Sequence, residues 1–448
     1  MLGLNLIGRK KLSLFFLHLF GVLKIRLFRK RNHIYTWGGD IPEPIQKFSD
    51  IEKIPEGILH NLKEFGITEP TPIQNQAIPL MLEKRELLAS APTGSGKTLA
   101  FALPIILEVL RLKRLRRHQD KNYLIAVILE PTKELAKQVY VQFLKFVQGF
   151  PVKCAVLEDN SIFDDGNSDF SVNILVSTPN RLNFALAEKS CRVLSKLKWL
   201  IIDEGDRLFE TTEGEDRCFR NQLAKVYQAC KRSKFVHHAF FSATYSYEVE
   251  DWCKTNLDNL VVVCVGARNS AVSLVKQELV FAGSEQGKVT SLCSLFREGF
   301  EPPVVVFLQS KDRAYQLFSE IQSRRPDIPA ALISSDVDEG KAICFTREIS
   351  IEQFREGKIW VLICTDLMGR GLDFRGVNLI INFDLPTSVI SYIHRVGRAG
   401  RAGRPGRAVT YFTESDLQLI RPIATVIKQA GYPVPEYTLR MPKVPRYA

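Results

Sequence analysis

Short runs of Val, Ile, Leu and Phe alternate with segments of helical period, and the alternation occurs twice along the chain. In the first half the apolar runs are "ELLAS", "YLIAVILEPT", "NILVSTP", "KWLIIDE", "HAFFSAT" and "LVVVCVG". In the second half they are "PVVVFLQS", "PAALISS", "IWVLICTD", "NLIINFD" and "AVTYFT". Near-continuous apolar runs of this length mark parallel strands covered on both faces, because a strand with one wet face would alternate with polar residues. The pattern predicts an α/β fold in two tandem copies, each a parallel sheet flanked by helices. One run ends before "GARNSAV" and another, "KQELVFAG", begins after it, which places the join at 267–272. The division that follows is a leader, 1–40; a first domain, 41–266; the linker; a second domain, 273–422; and a C-terminal tail, 423–448. There is no short-period repeat.

Charge changes this picture at one end. The 448 residues carry a formal net charge of +12, but residues 1–39 hold eight Lys or Arg and no acid, leaving +4 (12 less 8) on the rest. A nucleic acid would therefore be met by a locally patterned surface rather than by bulk charge. In the leader, "LSLFFLHLFGVL" is shorter than the roughly 20 residues of a membrane span, and "KIRLFRKR" after it is a poor signal-peptide cleavage region. An amphipathic or poorly ordered leader, a basic mitochondrial presequence and a basic RNA-binding arm remain open. Nine scattered cysteines, with no CxxC and no histidine pair at ligand spacing, argue against zinc and against a disulfide framework, and for a reducing compartment.

The strongest chemical signal is "APTGSGKTLAF", which follows "ELLAS" and runs into a helical pattern. It has the phosphate-loop spacing, with Ala91 in place of the first glycine. Backbone N–H groups around Thr93, Gly94, Ser95 and Gly96 can surround a phosphate at a helix N-terminus. Lys97 supplies a point charge to the β/γ oxygens, and the Thr98 hydroxyl can bind Mg²⁺. Such a loop needs an acid at the end of a neighbouring strand. "LKWLIIDEGD" supplies Asp203 for the metal and Glu204 to orient and deprotonate the attacking water. Each motif alone could be a turn or a solvated strand end; together they define a nucleotide site.

With those residues in place, the chain resembles a DEAD-box RNA helicase whose box reads Asp203-Glu204-Gly205-Asp206. The resemblance runs from Asp40 to the C-terminus and implies two tandem RecA-like domains, with ATP and Mg²⁺ as cofactors. "FGITEPTPIQ" resembles the adenine-reading segment, in which Gln74 would hydrogen-bond the base and Phe48 upstream would stack on it. "PTKELAKQ" and "STPNRL" resemble the RNA-contacting segments of the first domain, which assigns RNA contacts to Pro131, Thr132, Glu134, Thr178 and Arg181. "SAT" resembles the element that couples nucleotide to RNA through Ser242 and Thr244, with Asp206 and His394 in the same coupling role. In the second domain "VVVFLQS", "CTDLMGRGLD" and "YIHRVGRAGRAG" resemble three further motifs. They assign RNA contacts to Gln309, Thr365 and Arg370, nucleotide contacts to Gly371 and Asp373, and arginine fingers to Arg398 and Arg401.

Local chemistry agrees with these assignments. In "PTKEL" and "STPNRL" a proline-led turn opens a helix, whose first N–H groups can take an RNA phosphate, although a simple capping turn has the same look. In "HRVGRAGR" the arginines Arg395, Arg398 and Arg401 alternate with glycines, so guanidiniums stand on a backbone able to approach a ligand. Several positions depart from the family pattern. Lys133 replaces an arginine, Ile67 an aromatic, Asn180 a glycine, and Gly369 an alanine. The stretch 334–350 is the least family-like, which puts RNA contacts there in doubt.

"GGDIPEPIQKFSD", "PTKELAKQV", "VGARNSAV" and "VIKQAGYPVPEY" narrow the resemblance to nucleolar DEAD-box helicases of small-ribosomal-subunit RNA maturation. That branch implies a monomer in the nucleus and nucleolus that holds pre-ribosomal RNA by its sugar-phosphate backbone, with pre-ribosome assembly proteins as partners and no membrane. A mitochondrial RNA helicase is the alternative from the basic leader, an ATP-dependent RNA clamp the alternative without turnover, and a DNA translocase the alternative on the same fold.

Overall fold

The structure, a computed structural model, describes residues 21–115, 123–157, 172–188, 191–206, 219–230, 235–244, 247–266, 275–333, 347–365, 377–400 and 405–441. Pro92–Gly94 apart, the chain divides into two compact units, the first ending at Arg268 and the second beginning at Asn269. The linker placed from sequence at 267–272 lies outside the described residues.

The first unit is built on eight strands: β1 (Ile34–Trp37), β2 (Leu87–Ser90), β3 (Ala126–Leu129), β4 (Cys154–Val156), β5 (Ile174–Ser177), β6 (Trp199–Asp203), β7 (His237–Ser242) and β8 (Val261–Val265). Their order is β1-β8-β2-β7-β6-β3-β5-β4. The helices are α1 (21–31), α2 (Glu56–Glu64), α3 (Pro72–Leu82), α4 (Lys97–Leu115), α5 (Lys133–Phe146), α6 (Pro179–Glu188), α7 (Phe219–Cys230) and α8 (Tyr247–Asn256). The near-continuous apolar runs are explained by a core on each face. Leu87 and Ala89 of β2, Ala126 and Ile128 of β3, and Trp199 and Ile201 of β6 pack with α3, α4 and α5. Their neighbours Leu88, Val127, Leu129, Leu200 and Ile202 pack with α6, α7 and α8 on the other side. Successive strand residues point to opposite faces, so both cores draw on one unbroken apolar run. Each fully buried Val, Leu or Ile side chain among them contributes about 1.5–3 kcal/mol.

Two strands were missed from sequence, and both lie at sheet edges. β4 is three half-buried residues long. β1 sits inside the stretch read as a leader and pairs antiparallel with β8, in the register Ile34↔Val265 to Trp37↔Val262. The sheet is thus parallel except for this one edge strand. Ahead of β1, α1 packs Phe28 against the core, and the chain turns at Asn32–His33. From residue 21 onward the segment belongs to the first unit, so the boundary drawn at residue 40 cuts a folded stretch. A four-residue edge strand with only one face buried has too little apolar signal to be read in advance.

The second unit has six parallel strands, β9 (Val275–Gly283), β10 (Val304–Leu308), β11 (Ala330–Ile333), β12 (Val361–Thr365), β13 (Leu379–Asn382) and β14 (Gly406–Thr413), in the order β11-β12-β10-β13-β14-β9. α9 (Glu285–Glu298), α10 (Lys311–Arg324) and α11 (Arg347–Arg355) flank it, with helices at Val389–Val396 and Leu417–Gln429. This last helix crosses the boundary drawn at residue 422. Its apolar side, Ile420, Ile423 and Ile427, is buried in the second core, so the domain extends beyond that boundary. Cys154, Cys230, Cys253, Cys264, Cys293 and Cys364 are free thiols. Among those residues no helix is long and apolar enough to cross a membrane.

Candidate functional site

Strand order assembles the first unit's site. The carboxyl ends of β2, β7 and β6 lie side by side, with Ser90 opposite Ser242 and Asp203 opposite Phe241. The phosphate loop, Ser242–Thr244 and the acidic turn, far apart in sequence, therefore share one edge, where ligands of open α/β sheets bind. β3 and β5 continue the same edge beyond β6.

The phosphate loop joins β2 to α4. Gly94 and Gly96 have φ of +77° and +85°, a backbone region that side chains other than glycine rarely adopt. Lys97 opens α4 and folds back, donating from Nζ to the Ala91 carbonyl at 2.7 Å. Ala91 in turn donates its N–H to the Ser242 carbonyl at 3.1 Å, and the Thr98 side chain is half-buried in the first turn of α4. The Ser95 hydroxyl oxygen is shielded from solvent and has no protein partner, the kind of atom a phosphate oxygen would satisfy.

α3 holds this loop from behind. Its N-cap, Thr71, forms a capping box with Gln74, and the Gln74 Oε1 accepts the Thr71 N–H at 3.0 Å. Gln74 Nε2 donates to the Gly96 carbonyl at 2.9 Å, and the Thr71 hydroxyl donates to the Ser95 carbonyl at 2.7 Å. One amide N–H and one carbonyl lone pair of Gln74 remain after these bonds, the donor and acceptor that adenine offers a complement for. Thr71 was not singled out from sequence, yet T-x-x-Q ahead of an apolar run is a capping-box signature. Phe48, expected to stack on the base, is 3% exposed and sits in the apolar core of the first unit. In this structure its ring is buried in that core.

At the end of β6 the chain turns sharply. Glu204 has φ +52°, an unusual conformation for a residue with a side chain, at a cost of about 1–3 kcal/mol. Its N–H donates to Asp203 Oδ1 at 2.9 Å. Burial, and then the neighbouring charge of Glu204, push the Asp203 carboxyl up to about 7, with Lys97 opposing. Three acids held this close are an arrangement that a divalent cation would relieve. A Cβ built on Gly205 would stand 3.5 Å from Phe240 and 3.7 Å from Ile202, ordinary contact distances. Asp206, 3% exposed, accepts the Thr244 hydroxyl at 2.6 Å, and Thr244 N–H donates to the Ser242 hydroxyl at 3.3 Å.

Further along the edge, α5 and α6 begin where β3 and β5 end. Thr132 caps α5, its Oγ accepting the Leu135 N–H at 3.3 Å, and Glu134 lies in the first turn. Pro131 precedes the cap, and Thr178 and Arg181 stand at the start of α6. A cavity of about 180 Å³ brings the two segments together, lined by Lys133, Ala136, Lys137, Val156, Leu157, Ser177 and Thr178. A helix N-terminus with two ammonium groups favours an anion of phosphate size. Lys137 was missed, although it lies one helical turn after Lys133.

In the second unit Gln309 directly follows β10, and Thr365 ends the adjacent strand β12. Gln309 donates its backbone N–H to Asp384 Oδ2 and its side-chain amide to the Leu385 carbonyl, both at 3.0 Å, while Thr365 is 8% exposed. Asp384 also holds Arg313 Nε at 2.8 Å, with the buried Lys288 ammonium 3.6 Å away. His394 is buried, and Arg398 donates from Nε to its carbonyl at 3.2 Å. Arg395 is a correction to the arginine alternation. It is 2% exposed, bonds the Asp384 carbonyl at 2.8 Å and lies over the Phe307 ring, so it builds the domain. Arg370, Gly371, Asp373 and Arg401 lie outside the described residues.

A phosphate loop, an acidic turn two strands away and a parallel sheet between helices make the first unit a RecA-like ATP-binding domain, and the second unit repeats the parallel α/β architecture. The DEAD/DEAH box helicase family matches residues 71–252, and the helicase conserved C-terminal domain matches residues 287–403. The chain belongs to the DEAD-box ATP-dependent RNA helicases, enzymes that hydrolyse ATP and act on RNA. It is 46% identical to "Probable ATP-dependent RNA helicase DDX52" of Rattus norvegicus, over 96% of this chain and 70% of that protein. It is 38% identical to ATP-dependent RNA helicase ROK1 of Saccharomyces cerevisiae, over 91% of this chain and 71% of the relative. Among solved structures, S. cerevisiae Dbp5 bound to RNA and ADP BeF3 matches with a TM-score of 0.70 at 24% identity, covering 87% of this chain and 95% of that one. Mss116p bound to ssRNA and AMP-PNP matches with a TM-score of 0.73 at 21% identity, covering 87% and 79%. These two likenesses are of fold.

Proposed function

We propose that the protein separates short RNA duplexes in an RNA-stimulated ATP cycle and does so on pre-ribosomal RNA during small-subunit maturation, in the nucleus and nucleolus. The observation that carries the first part is the 2.6 Å bond from Thr244 to Asp206, which ties the acidic turn to the strand lying between it and the phosphate loop. A change at the phosphates can reach the RNA-facing end of the same sheet through that bond. The second part rests on the branch motifs read in the sequence and on similarity to the DDX52 and ROK1 helicases.

In this reading Gln74 selects adenine with its remaining N–H and lone pair, Lys97 leaves Ala91 for the phosphates, and Ser95 satisfies its hydroxyl on a phosphate oxygen. Mg²⁺, held by Asp203 and Thr98, would neutralise phosphate charge. Glu204, raised on its strained turn, orients and deprotonates the attacking water. The cavity between α5 and α6 takes one RNA phosphate, so recognition follows the backbone rather than base edges. Pre-ribosome assembly proteins and a monomeric state belong to the same proposal, with a mitochondrial helicase as the alternative.

The test is Glu204→Gln. ATP and RNA binding stay, and turnover falls by about 10²–10⁴-fold, the usual contribution of a positioned base. Unchanged turnover removes Glu204 from the mechanism. For the substrate, crosslinking to cellular RNA followed by sequencing should recover pre-ribosomal fragments; mitochondrial transcripts instead would favour the alternative.

A further inference from the structure

Three consecutive side chains anchor α3, and each grips a different part of the first unit. Gln74 holds the phosphate loop through the Gly96 carbonyl. Asn75 donates from Nδ2 to the Ile45 carbonyl at 2.7 Å, and its backbone carbonyl accepts the Ile45 N–H at 2.9 Å. Gln76, 0% exposed, accepts Arg29 Nε on its Oε1 at 2.9 Å and donates from Nε2 to the Pro42 carbonyl at 3.0 Å. Arg29 Nη2 reaches the same Pro42 carbonyl at 2.9 Å, closing a three-membered network across α1, α3 and the segment before Phe48. Arg85 fastens that segment again, donating to the carbonyls of Asp40 and Gly39.

We infer that Arg29 is a positioning residue for nucleotide selection, acting through Gln76 on the orientation of Gln74. Residues two apart on a helix stand about 200° around its axis, so Gln76 and Gln74 sit on nearly opposite faces. A guanidinium fixed on one face by two planar bonds therefore sets the rotation of α3 that the other face presents to the loop. The fit at Gln74 is tight, since a Cβ built on Gly96 would lie 2.4 Å from Gln74 Nε2. Small rotations of α3 thus alter the Gln74 clasp and the donor–acceptor pair left for the base. The stretch containing Arg29, which sequence alone reads as a basic leader, becomes part of the ATP site's support.

The inference rests on reading Gln74 as the adenine contact, so Gln74→Ala is measured beside Arg29→Ala in the full chain, with ATP and GTP at saturating RNA. For Arg29→Ala the expected result is a rise in KM for ATP of about tenfold, equivalent to about 1.4 kcal/mol of lost nucleotide binding. The preference for ATP over GTP should fall by a similar factor, with kcat changed less than about twofold. Arg29→Lys keeps one donor and should lie between; if Arg29→Ala does not fold, Arg29→Lys is read by the same criteria. An unchanged KM and ATP preference overturns the inference whether or not the thermal midpoint falls, and so does a loss confined to kcat. If Gln74→Ala loses discrimination while Arg29→Ala keeps it, the inference fails alone. If neither loses it, the reading of Gln74 fails first.

Discussion

The Thr244 hydroxyl donates to Asp206 Oδ2 at 2.6 Å, with both side chains buried. A short bond to a buried carboxylate is directional and costs about 1–3 kcal/mol when its donor is deleted. Thr244→Val keeps the shape and removes the donor. Duplex release per ATP hydrolysed should drop several-fold, and Thr244→Ser, which keeps the hydroxyl, should restore it. A Val variant with unchanged duplex release per ATP would show that Asp206 and Thr244 do not carry the coupling.

Gly205 stands where the family has alanine, and the space for that methyl is present. Gly205→Ala adds ordinary contacts to Phe240 and Ile202 and narrows the unfolded chain's freedom. Stability should rise by about 0.4–1 kcal/mol, with RNA-stimulated ATPase unchanged. Denaturant midpoints of the two proteins decide it, and a destabilised Ala variant would mean the turn needs glycine for another reason.

Lys133 and Lys137 share one cavity with Thr178. If that cavity holds an RNA phosphate, Lys137→Ala should weaken single-stranded RNA binding for all sequences alike. The log–log salt slope should become shallower by about 0.7, the value for one phosphate contact on a single strand. An unaltered slope would place Lys137 outside the RNA path.

Burial alone would raise the Asp384 carboxyl, but Arg313, the Gln309 N–H and then Lys288 outweigh it and hold it below its ordinary value. A lowered folded value stabilises the protein at every pH above the unfolded value of about 3.9, and the contribution is lost as pH falls through the lowered one. Thermal unfolding of Asp384→Asn should trail wild type by its full margin between about pH 5 and pH 7. The gap should close below about pH 4. A constant gap would show that the ion network between α9, α10 and the segment after β13 does not depend on this charge.

The sequence by itself determined the tandem α/β architecture and the chemistry of the first site. Apolar runs covered on both faces leave a one-dimensional pattern, and a phosphate loop writes Gly94, Gly96, Lys97 and Thr98 into adjacent positions. Tertiary structure alone decided which distant residues meet. Nothing in the order of residues says that β7 lies between β2 and β6, or that Gln74 closes on Gly96. It also decided where the first domain begins, because β1 is a short edge strand whose partner, β8, comes more than 200 residues later. Arg29 and Arg395 show the same limit. An arginine reads as a surface charge in sequence, and only packing reveals that Gln76 holds one and Asp384 and Phe307 enclose the other.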